Sequence, residues 1–470
     1  MNAPLARLLG DALAAGRAIE STSGERMERL RLMTAADRVA DALAARNLAP
    51  GEPVHVRIGN RPSDLAALLG AWRAGTVAVP VHVAAAPSTV ERLQRRTRSR
   101  LCVDGEQVDV VASAPPPERA LLRDAALVIF TSGSTGEPKG VVIGHKAFAA
   151  KLAVLDRLLA LRADDVVLVP LQLTFIFGLW VSLLALMRGA RLVLVPKFSR
   201  GAIAHGLADA SVLAGVPSMF RTLLGDAVPS APALRLILTG GEVLSPSLAE
   251  AMRHFAGAAI HDLYGLTETG SCDFCLPPAD QPDGFGTIGR PTEGVTFRLM
   301  QEGAPVADGA TGELQIRTPF GMLGYLDDPA LTQASFADGH FRTGDLARLT
   351  AAGHVQLVGR AKDIVSRGGH KIAPLEIDNL LAEHPDIVAA LCAGVPDERL
   401  GEVIHAVVVR RAGAQLDDTI LRDWMLTRTE RFKVPDAFHF RDALPVGATG
   451  KADRRAVASL AATLSRGGAP

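Results

Sequence analysis

The sequence predicts an α/β protein built on mostly parallel β-sheet, with a large N-terminal domain followed by a smaller C-terminal one. Three observations support this fold class. The chain has 470 residues, more than one compact core usually holds. Up to about residue 300, apolar strand-like segments alternate with Ala- and Leu-rich helical segments, which is typical of parallel βα units. After Lys362 a shorter α/β segment has the length of one small domain.

The predicted elements follow from the spacing of the apolar residues. They are helices at 31–48 and 63–74 and strands at 54–58, 75–81, 126–130, 191–195 and 234–238, with a Pro-rich connection at 112–118 and a Gly- and Pro-rich region of short strands at 284–360. The most apolar stretch, 166–187, is interrupted by Pro170, Gln172, Thr174 and Gly178. We therefore predict a strand, a loop and a buried helix there rather than a membrane span.

The bulk composition narrows the class of protein. Lys plus Arg and Asp plus Glu both number 50, so the charge balance gives no electrostatic basis for nucleic-acid binding. Four cysteines are too few for a disulfide framework, and the Cys272–Cys275 pair lacks the second pair that a zinc site needs. Arg7 and Asp11 interrupt what would be the apolar core of a signal peptide. We expect a cytoplasmic enzyme with neither nucleic-acid nor membrane partners.

The strongest local signal is FTSGSTGEPKG at 130–140, directly after a predicted buried strand. Glycines free backbone N–H groups to turn inward, hydroxyls add donors and Lys139 adds positive charge, a combination that suits an oligophosphate. The spacing differs from that of a Walker A loop. A Gly/Ser loop can also be a plain linker, but hydroxyls at this density after a buried strand favour a phosphate loop.

This loop resembles the phosphate loop of the adenylate-forming (ANL) superfamily, which includes acyl- and aryl-CoA ligases, peptide-synthetase adenylation domains and firefly-type luciferases. Five further segments resemble that family's motifs in the family's order: NRP at 60–62 with AWRAG at 71–75, LYGLTET at 263–269, FRTGD at 341–345, GRAKD at 359–363 continuing into GG at 368–369 and PLEI at 374–377, and PVGATGK at 445–451. The resemblance implies a large N-terminal AMP-binding domain of several subdomains, residues 1–361, which holds the acyl pocket. It also implies a small mobile C-terminal α/β domain, residues 362–470, which carries a catalytic lysine.

The implied chemistry is the activation of a carboxylic acid. A carboxylate is a poor electrophile, so it attacks the α-phosphate of ATP, and the charge that builds there needs cations and a metal. By resemblance, Glu268 holds Mg²⁺ on the phosphates, Thr267 contacts the α-phosphate and Lys451 bridges the carboxylate and the α-phosphate. Only eight of the 50 cationic side chains are lysines, so a lysine in such a position is notable. The alternative for Lys451 is a solvated surface lysine.

The resemblance also implies a nucleotide site. Tyr264, one of two tyrosines in the chain, would stack on adenine, Asp345 would bind the ribose hydroxyls and Arg360 would be a second contact. The alternatives are a core tyrosine, a turn aspartate and an interdomain ion pair. The complete predicted set is Thr131, Ser132, Gly133, Ser134, Thr135, Gly136, Lys139, Gly240, Gly241, Glu242, Asp262, Tyr264, Gly265, Asp345 and Arg360.

Two further groups of residues follow from the resemblance. Lys362 is the predicted hinge about which the C-terminal domain rotates, and Gly368 and Gly369 line a tunnel for the thiol arm, although paired glycines also suit an ordinary turn. The acyl pocket is predicted to contain Phe175, Phe177, Gly178 and Gly265, and we expect Cys272, Asp273 and Phe274 beside it. Residues 173–179 contain no aspartate to pair with a substrate ammonium, which argues against an α-amino acid.

We therefore predict an AMP-forming acid–thiol ligase that uses ATP, Mg²⁺ and coenzyme A on an aryl or short- to medium-chain carboxylic acid. An alternative acceptor is the phosphopantetheine of an acyl or aryl carrier protein, whose thiol arm is the same. A nucleotide-binding regulator without catalysis is a rival from another class, against which Glu268, Asp345 and Lys451 argue. A luciferase-like oxidation is a more remote alternative.

Overall fold

Four β-sheets organise the computed structural model, which describes residues 5, 9, 16–131, 138–224, 229–411, 413–445 and 452–467. The strands are β1 Ile19–Ser21, β2 Arg26–Met27, β3 Pro53–Ile58, β4 Val77–His82, β5 Leu101–Asp104, β6 Gln107–Val110, β7 Ala125–Thr131, β8 Lys139–Gly144, β9 Val166–Val169, β10 Arg191–Leu194, β11 Val212–Gly215, β12 Leu236–Gly240, β13 Ala259–Tyr264, β14 Phe274–Leu276, β15 Arg290–Pro291, β16 Thr296–Gln301, β17 Ala304–Pro305, β18 Gly312–Arg317, β19 Gly324–Tyr325, β20 Phe336–Ala337, β21 His340–Leu349, β22 Val355–Arg360, β23 Val365–Arg367, β24 His370–Ile372, β25 Ile387–Asp397, β26 Gly401–Arg410 and β27 Ala437–Phe440.

Twelve helices have both ends within the described residues, and six of them begin at a proline, a residue favoured in the first turn because a backbone N–H at that position would have no partner within the helix. They are α1 Arg29–Ala44, α2 Pro62–Arg73, α3 Pro87–Thr97, α4 His145–Leu159, α5 Ile176–Met187, α6 Arg200–Leu207, α7 Pro217–Leu223, α8 Pro246–Ala256, α9 Pro329–Ala334, α10 Pro374–Ala382, α11 Asp418–Leu426 and α12 Arg454–Gly467, with short 3₁₀ turns at Ala120–Leu122, Thr267–Thr269, Pro278–Asp280, Ala361–Asp363 and Arg431–Lys433.

Two large sheets confirm the predicted parallel architecture. The first has the order β15-β14-β13-β12-β11-β9-β10-β1-β2, with neighbours parallel from β13 to β1. The second has the order β19-β8-β7-β4-β3-β5-β6, with β7, β4, β3 and β5 parallel. Both sheets contribute side chains to one apolar core, in which helices α1, α2, α4 and α5 are also packed. The carboxyl ends of parallel strands are where α/β sheets bind their ligands.

The third and fourth sheets follow in the C-terminal part of the chain. The third, of six strands between residues 296 and 360, is antiparallel, with β21 between β18 and β22. The fourth, β23 to β27, has its own apolar core with helices α10 and α11. A separate core is what an independently folding domain requires.

The apolar stretch at 166–187 forms β9, a loop and α5, as the sequence predicts. Helix α5 is buried over nearly its whole length. Among the helices of the described residues, none combines the length and apolar composition needed to cross a bilayer.

Candidate active site

A closed loop, residues 264–273, leaves the end of β13 and carries two of the predicted catalytic residues. Its ends are joined, because the Asp273 amide donates to the Tyr264 carbonyl at 2.7 Å. Thr267 and Glu268 lie in the 3₁₀ turn at its tip. Gly265 has no room for a side chain, since a Cβ there would lie 2.2 Å from the Cys272 amide nitrogen. The loop therefore holds its tip in a fixed place beyond the sheet edge.

Glu268 contacts the segment around β19, the strand that pairs with β8 beside the predicted phosphate loop. Its Oε1 accepts a hydrogen bond from the Tyr325 hydroxyl at 3.1 Å, and its carbonyl accepts one from the Met322 amide at 2.8 Å. Tyr325 lies on β19, which pairs with β8, and Lys139 Nζ lies 5.4 Å from the centre of the Tyr325 ring. The carboxylate of Glu268 and the ammonium of Lys139 are thus brought to the same tyrosine.

The predicted phosphate loop connects β7 to β8. Thr131 at the end of β7 is the direct partner of Lys139 at the start of β8. The loop therefore leaves and re-enters the sheet at neighbouring positions. Ser132, Gly133, Ser134, Thr135 and Gly136 lie outside the described residues.

Two predicted nucleotide residues, Tyr264 and Arg360, contact a third, Asp345. The Tyr264 hydroxyl donates to Asp345 Oδ2 at 2.5 Å, and Arg360 Nε lies 2.7 Å from Asp345 Oδ1. Asp345 and Arg360 are also partners in the β21–β22 ladder. Burial, and then the charge of Asp345, raise the pKa of the Tyr264 phenol. The phenol therefore remains a hydrogen-bond donor at neutral pH.

The segment Gly240–Glu242 follows β12, beside the end of β13. A Cβ at Gly240 would lie 2.2 Å from the Leu263 carbonyl oxygen, and Gly241 has φ +81°. The carboxylate of Glu242 accepts hydrogen bonds from the amide and hydroxyl of Ser218, both at 2.9 Å. Because that carboxylate is bound to the start of α7, this segment presents mainly backbone to a ligand.

Asp262 lies on β13 and is buried. Burial raises the pKa of its carboxyl to about 8. The group is therefore mostly protonated at neutral pH, so it can donate as well as accept a hydrogen bond. Within the described part of the chain, no charged side chain pairs with this carboxyl.

The predicted acyl residues surround the start of α5. Phe175 is the N-cap residue and is 40% exposed, whereas the Phe177 ring stacks on Trp180 at 5.1 Å between centroids. Gly178 has a packing role, since a Cβ there would lie 2.6 Å from the Gln172 carbonyl oxygen. The start of this helix is thus pressed against the loop that precedes it.

A buried asparagine that the sequence indicated only as part of a motif holds the same loop. The Asn60 side-chain amide donates to the carbonyls of Leu171 and Val195, at 2.8 and 3.2 Å, and accepts from the Leu173 amide at 2.9 Å. Asn60 has φ +58° and no exposed surface. It ties the second sheet to the pocket segment of the first.

Cys272, Asp273 and Phe274 do not border an open pocket. Their exposed fractions are 2%, 0% and 0%, and the Asp273 carboxylate accepts a hydrogen bond from the Thr269 hydroxyl. The expectation that they contact the acyl group is not met in this structure. Cys272 and Asp273 pack inside the loop instead, because the chain turns back on itself after Gly270. Phe274 packs from β14 against Tyr264 and Phe297.

The predicted hinge and thiol residues lie where the fourth sheet begins. Lys362 is exposed in the 3₁₀ turn between β22 and β23. Gly368 and Gly369 form the two-residue turn of the β23–β24 hairpin, with φ +54° and +88°. Positive φ at both positions is what a type I′ turn requires, so the ordinary-turn explanation accounts for this glycine pair.

Lys451 lies outside the described residues, but its flanks are described. The Asp453 amide donates to the Pro445 carbonyl at 2.9 Å. Arg454 donates to the Asp378 carboxylate on helix α10 and to the Cys392 carbonyl on β25, both at 2.5 Å. The described residues on the two sides of Lys451 are therefore hydrogen-bonded to each other, and Arg454 joins them to the C-terminal domain.

Comparisons with known proteins agree with this geometry. The family model for AMP-binding enzymes matches residues 15–326, and the model for the AMP-binding enzyme C-terminal domain matches residues 376–451. The chain is 33% identical over 462 residues to a sulfoacetate–CoA ligase of Cupriavidus necator, covering 90% of each chain. It is 30% identical over 462 residues to the fatty acid–[acyl-carrier-protein] ligase ScoC of Streptomyces coeruleorubidus, covering 89% of this chain and 88% of that one. The ATP-bound crystal structure of MatB from Rhodopseudomonas palustris superposes with a TM-score of 0.85 at 27% identity, covering 97% of this chain and 98% of MatB.

Proposed function

The chain belongs to the AMP-binding enzymes of the adenylate-forming superfamily, and from this premise we propose that it activates a carboxylic acid as an acyl-adenylate and transfers the acyl group to coenzyme A. The observation that carries the proposal is the convergence of Tyr264, Arg360 and Asp345 at 2.5 and 2.7 Å. Arg360 is the partner of Asp345 on the adjacent strand β22, whereas Tyr264 comes from a motif 81 residues earlier. By resemblance each of the three has a role in holding a nucleoside, and the fold joins the two segments at one buried carboxylate.

The nucleoside roles follow from the donors and acceptors on this cluster. The Tyr264 ring provides a face for adenine. The Asp345 carboxylate has about four acceptor positions, of which Tyr264 and Arg360 use two, which leaves capacity for two ribose hydroxyls. The protonated Asp262 and the backbone of Gly240–Gly241 complete the proposed adenine site.

The phosphate roles belong to the loop after β7 and to the tip of the loop at 264–273. Thr131 and Lys139 stand at the two ends of the phosphate loop, and Thr267 lies beside Glu268. Bond formation between the acid's carboxylate oxygen and the α-phosphorus, with pyrophosphate as the leaving group, builds negative charge that these cations and donors stabilise. We assign Lys451 to the approaching carboxylate, whose charge an ammonium offsets.

Magnesium fits Glu268. One carboxylate oxygen is engaged by a neutral tyrosine hydroxyl at 3.1 Å, and none of the ion pairs in the ranges that the structure describes involves Glu268, which leaves its charge available to a cation. No cluster of three or more metal-ligating side chains is found among the described residues. A single carboxylate is what a Mg²⁺ ion requires when phosphate oxygens and waters supply its other ligands. When bound, the ion would neutralise phosphate charge.

The acid is proposed to be aryl or short- to medium-chain and to lack an α-ammonium group. Phe175 and Phe177 supply apolar surface at the start of α5. The neighbouring loop, residues 264–273, has two acidic residues. Asp273 is fully buried and lies 3.8 Å from Lys151, and Glu268 is the proposed ligand of Mg²⁺. Neither segment therefore has a carboxylate left for a substrate ammonium, and an unpaired ammonium would cost several kcal/mol.

In the second half-reaction, the thiol sulfur attacks the acyl carbonyl carbon, the acyl–oxygen bond to AMP breaks and the thiol proton leaves to solvent. We propose that the C-terminal domain, residues 362–470, turns about Lys362 between the two steps and presents the Gly368–Gly369 turn to the thiol arm. We also propose that the enzyme works in the cytoplasm, where ATP and coenzyme A are available.

The second candidate function differs only in the thiol that accepts the acyl group. Similarity to ScoC, named for ligation to an acyl carrier protein, favours a carrier-bound phosphopantetheine as the alternative. Thioester formation from one panel of acids should be measured with free coenzyme A and with a holo-carrier protein, using matched α-amino acids as controls. We expect turnover with coenzyme A and at least about a hundredfold preference for acids over amino acids. Turnover with the carrier alone would support the alternative.

A further inference from the structure

A fully buried lysine lies beneath the loop at 264–273. Lys151, on α4, has 0% exposed surface. Its Nζ donates to the Cys272 carbonyl at 2.7 Å, lies 3.8 Å from Asp273 Oδ1 and lies 5.1 Å from the centre of the Phe320 ring. Every one of these partners lies more than a hundred residues further along the chain. The ammonium therefore serves a tertiary contact, not the surface of its own helix.

The backbone that Lys151 holds is in an uncommon conformation. Ser271 and Cys272 have φ of +67° and +50°. Left-handed backbone at two non-glycine residues is strained and persists only where the surroundings enforce it. This conformation is held at the Cys272 carbonyl, which accepts one hydrogen bond from Lys151 Nζ and a second, at 3.0 Å, from the Thr292 hydroxyl.

Ser271, Cys272 and Asp273 form the base of the loop, and this base contacts three other parts of the site. The Ser271 and Asp273 amides donate to the Leu266 and Tyr264 carbonyls at 2.8 and 2.7 Å. The Trp180 indole nitrogen lies 3.3 Å from the Ser271 hydroxyl. The base thus contacts the backbone of Tyr264, the residue predicted to stack on adenine, the residue before the turn at the tip and, through Trp180, helix α5.

We propose that Lys151 is a positioning residue, which with Asp273 fixes the base of the loop and thereby places Thr267 and Glu268 over the α-phosphate. The inference rests on the proposed function, because the roles of Thr267 and Glu268 do. Stability alone does not explain a buried lysine here, since well-packed apolar residues stabilise a core as well as a buried ion pair does. The lysine is explained by its directional hydrogen bond to the Cys272 carbonyl, which an apolar side chain could not form.

Three variants separate positioning from stability. Lys151→Met removes the ammonium and leaves the buried Asp273 carboxylate with the Thr269 hydroxyl but without its cationic neighbour. Lys151→Met/Asp273→Asn removes both charges at nearly constant volume. Arg29→Met is the matched control, because Arg29 is also a buried cation, donating to the Arg17 and Ala190 carbonyls at 2.7 Å each, and it lies on α1 away from the loop.

Three quantities should be measured on each variant: the thermal midpoint, the kcat and KM of acid-dependent ATP–pyrophosphate exchange, and amide hydrogen exchange of the peptide covering 264–273. We expect Lys151→Met to lower both the midpoint and kcat, the latter on the order of a hundredfold, as a misplacement of about 1 Å does. The KM for the acid should change far less, and the loop amides should exchange faster. In the double variant, the thermal midpoint should return towards the wild-type value, whereas kcat should stay low. In Arg29→Met, the thermal midpoint should fall and kcat should not change.

Recovery of both kcat and midpoint in the double variant would overturn the proposal, because Lys151 would then only neutralise Asp273. Unchanged amide exchange in that folded double variant would overturn it as well. If Lys151→Met does not fold, the double variant alone decides by the same criteria. Absence of exchange activity in the wild type with every acid would refute the proposed function, and the amide-exchange comparison would still decide whether Lys151 holds the loop.

Discussion

Asp345 is the residue on which the nucleoside account depends. Its two carboxylate oxygens accept from Tyr264 and pair with Arg360, although its side chain is only 4% exposed. A buried carboxylate is stable only when such partners compensate for its desolvation. The same oxygens are the acceptors that ribose hydroxyls need. The Asp345 carboxylate would therefore both stabilise the fold and bind the ligand.

The first prediction is that Asp345→Ala raises the KM for ATP by about 10- to 100-fold, because hydrogen bonds to a charged group contribute roughly 1.5–3 kcal/mol. Tyr264→Phe is the matched control, since it removes only the phenol's bond to Asp345 and keeps an aromatic ring for adenine. It should raise the KM by less than about tenfold. If Asp345→Ala lowers the melting temperature but leaves the KM for ATP unchanged, the residue is a structural ion-pair partner of Arg360 within the third sheet and not a ribose ligand.

The second prediction concerns the pH dependence of stability at Asp262. Its folded-state pKa of about 8 lies above the ordinary value near 4, so between those two values the folded state binds more protons than the unfolded state. Stability therefore falls as pH rises through this window. Asp262→Asn, which stays neutral, should be little different from wild type near pH 4 and progressively more stable towards pH 8. Urea unfolding at several pH values in this range measures the free energy of unfolding of both proteins. A stability difference that does not change with pH would contradict the burial argument.

The sequence predicted the contacts of some residues and not others for a physical reason. Tyr264, Asp345 and Arg360 lie in recognisable motifs, so their chemistry could be predicted before their distances were known. Lys151 could not be placed, because its partners are far away in the chain and its helix shows no signal for a buried charge. The scarcity of lysine was the one available indication, and it pointed to a compact ammonium without naming its partner.

Helix α5 and the loop before it form the element that shapes the acyl pocket. Asn60 holds residues 171–173 from one side, and Gly178 allows α5 to approach the same residues from the other. The sequence predicted this strand, loop and buried helix correctly from the interrupting polar residues. It could not predict that Gly178 is required by a backbone contact, because that distance depends on tertiary packing.

The third prediction uses this contact. Gly178→Ala would place a Cβ 2.6 Å from the Gln172 carbonyl oxygen, so the start of α5 must move, at a cost of about 1–3 kcal/mol, and the KM for the acid should rise. Gly201→Ala is the matched control in helix α6, where an added Cβ meets nothing within 4 Å. It should stabilise the protein by roughly 0.5–1 kcal/mol with unchanged KM. Equal behaviour of the two variants in denaturant titration and acid kinetics would show that α5 is not held there.

At the scale of the whole molecule, the third sheet and the C-terminal domain meet across an incompletely filled interface. A cavity of about 400 Å³ lies between β21–β22 and helix α10, with Arg348 and Gln356 on one side and Glu376 and Glu383 on the other. Interdomain contacts of this polar, loosely packed kind permit relative motion. The chain joins the two bodies through the turn that contains Lys362.

The fourth prediction tests that turn as a hinge. A hinge residue must change φ and ψ between the two half-reactions, and proline fixes φ near −65°. Lys362→Pro should therefore keep pyrophosphate exchange within about tenfold of wild type, while thioester formation falls much further. Lys362→Ala, which keeps φ free, is the control and should retain both steps. Equal loss of both half-reactions in a stably folded proline variant would rule out a rotating domain.

The most direct test of the central claim is acid-dependent ATP–pyrophosphate exchange by the wild-type protein, with a panel of aryl and short- to medium-chain acids and with Lys451→Ala as control. Exchange reports reversible formation of an acyl-adenylate and nothing later in the reaction. We expect it to require both an acid and Mg²⁺, and to fall by several orders of magnitude in Lys451→Ala, since charge stabilisation in the transition state is worth several kcal/mol. Exchange that is absent with every acid, or unchanged in Lys451→Ala, would contradict an adenylating enzyme that works through this site.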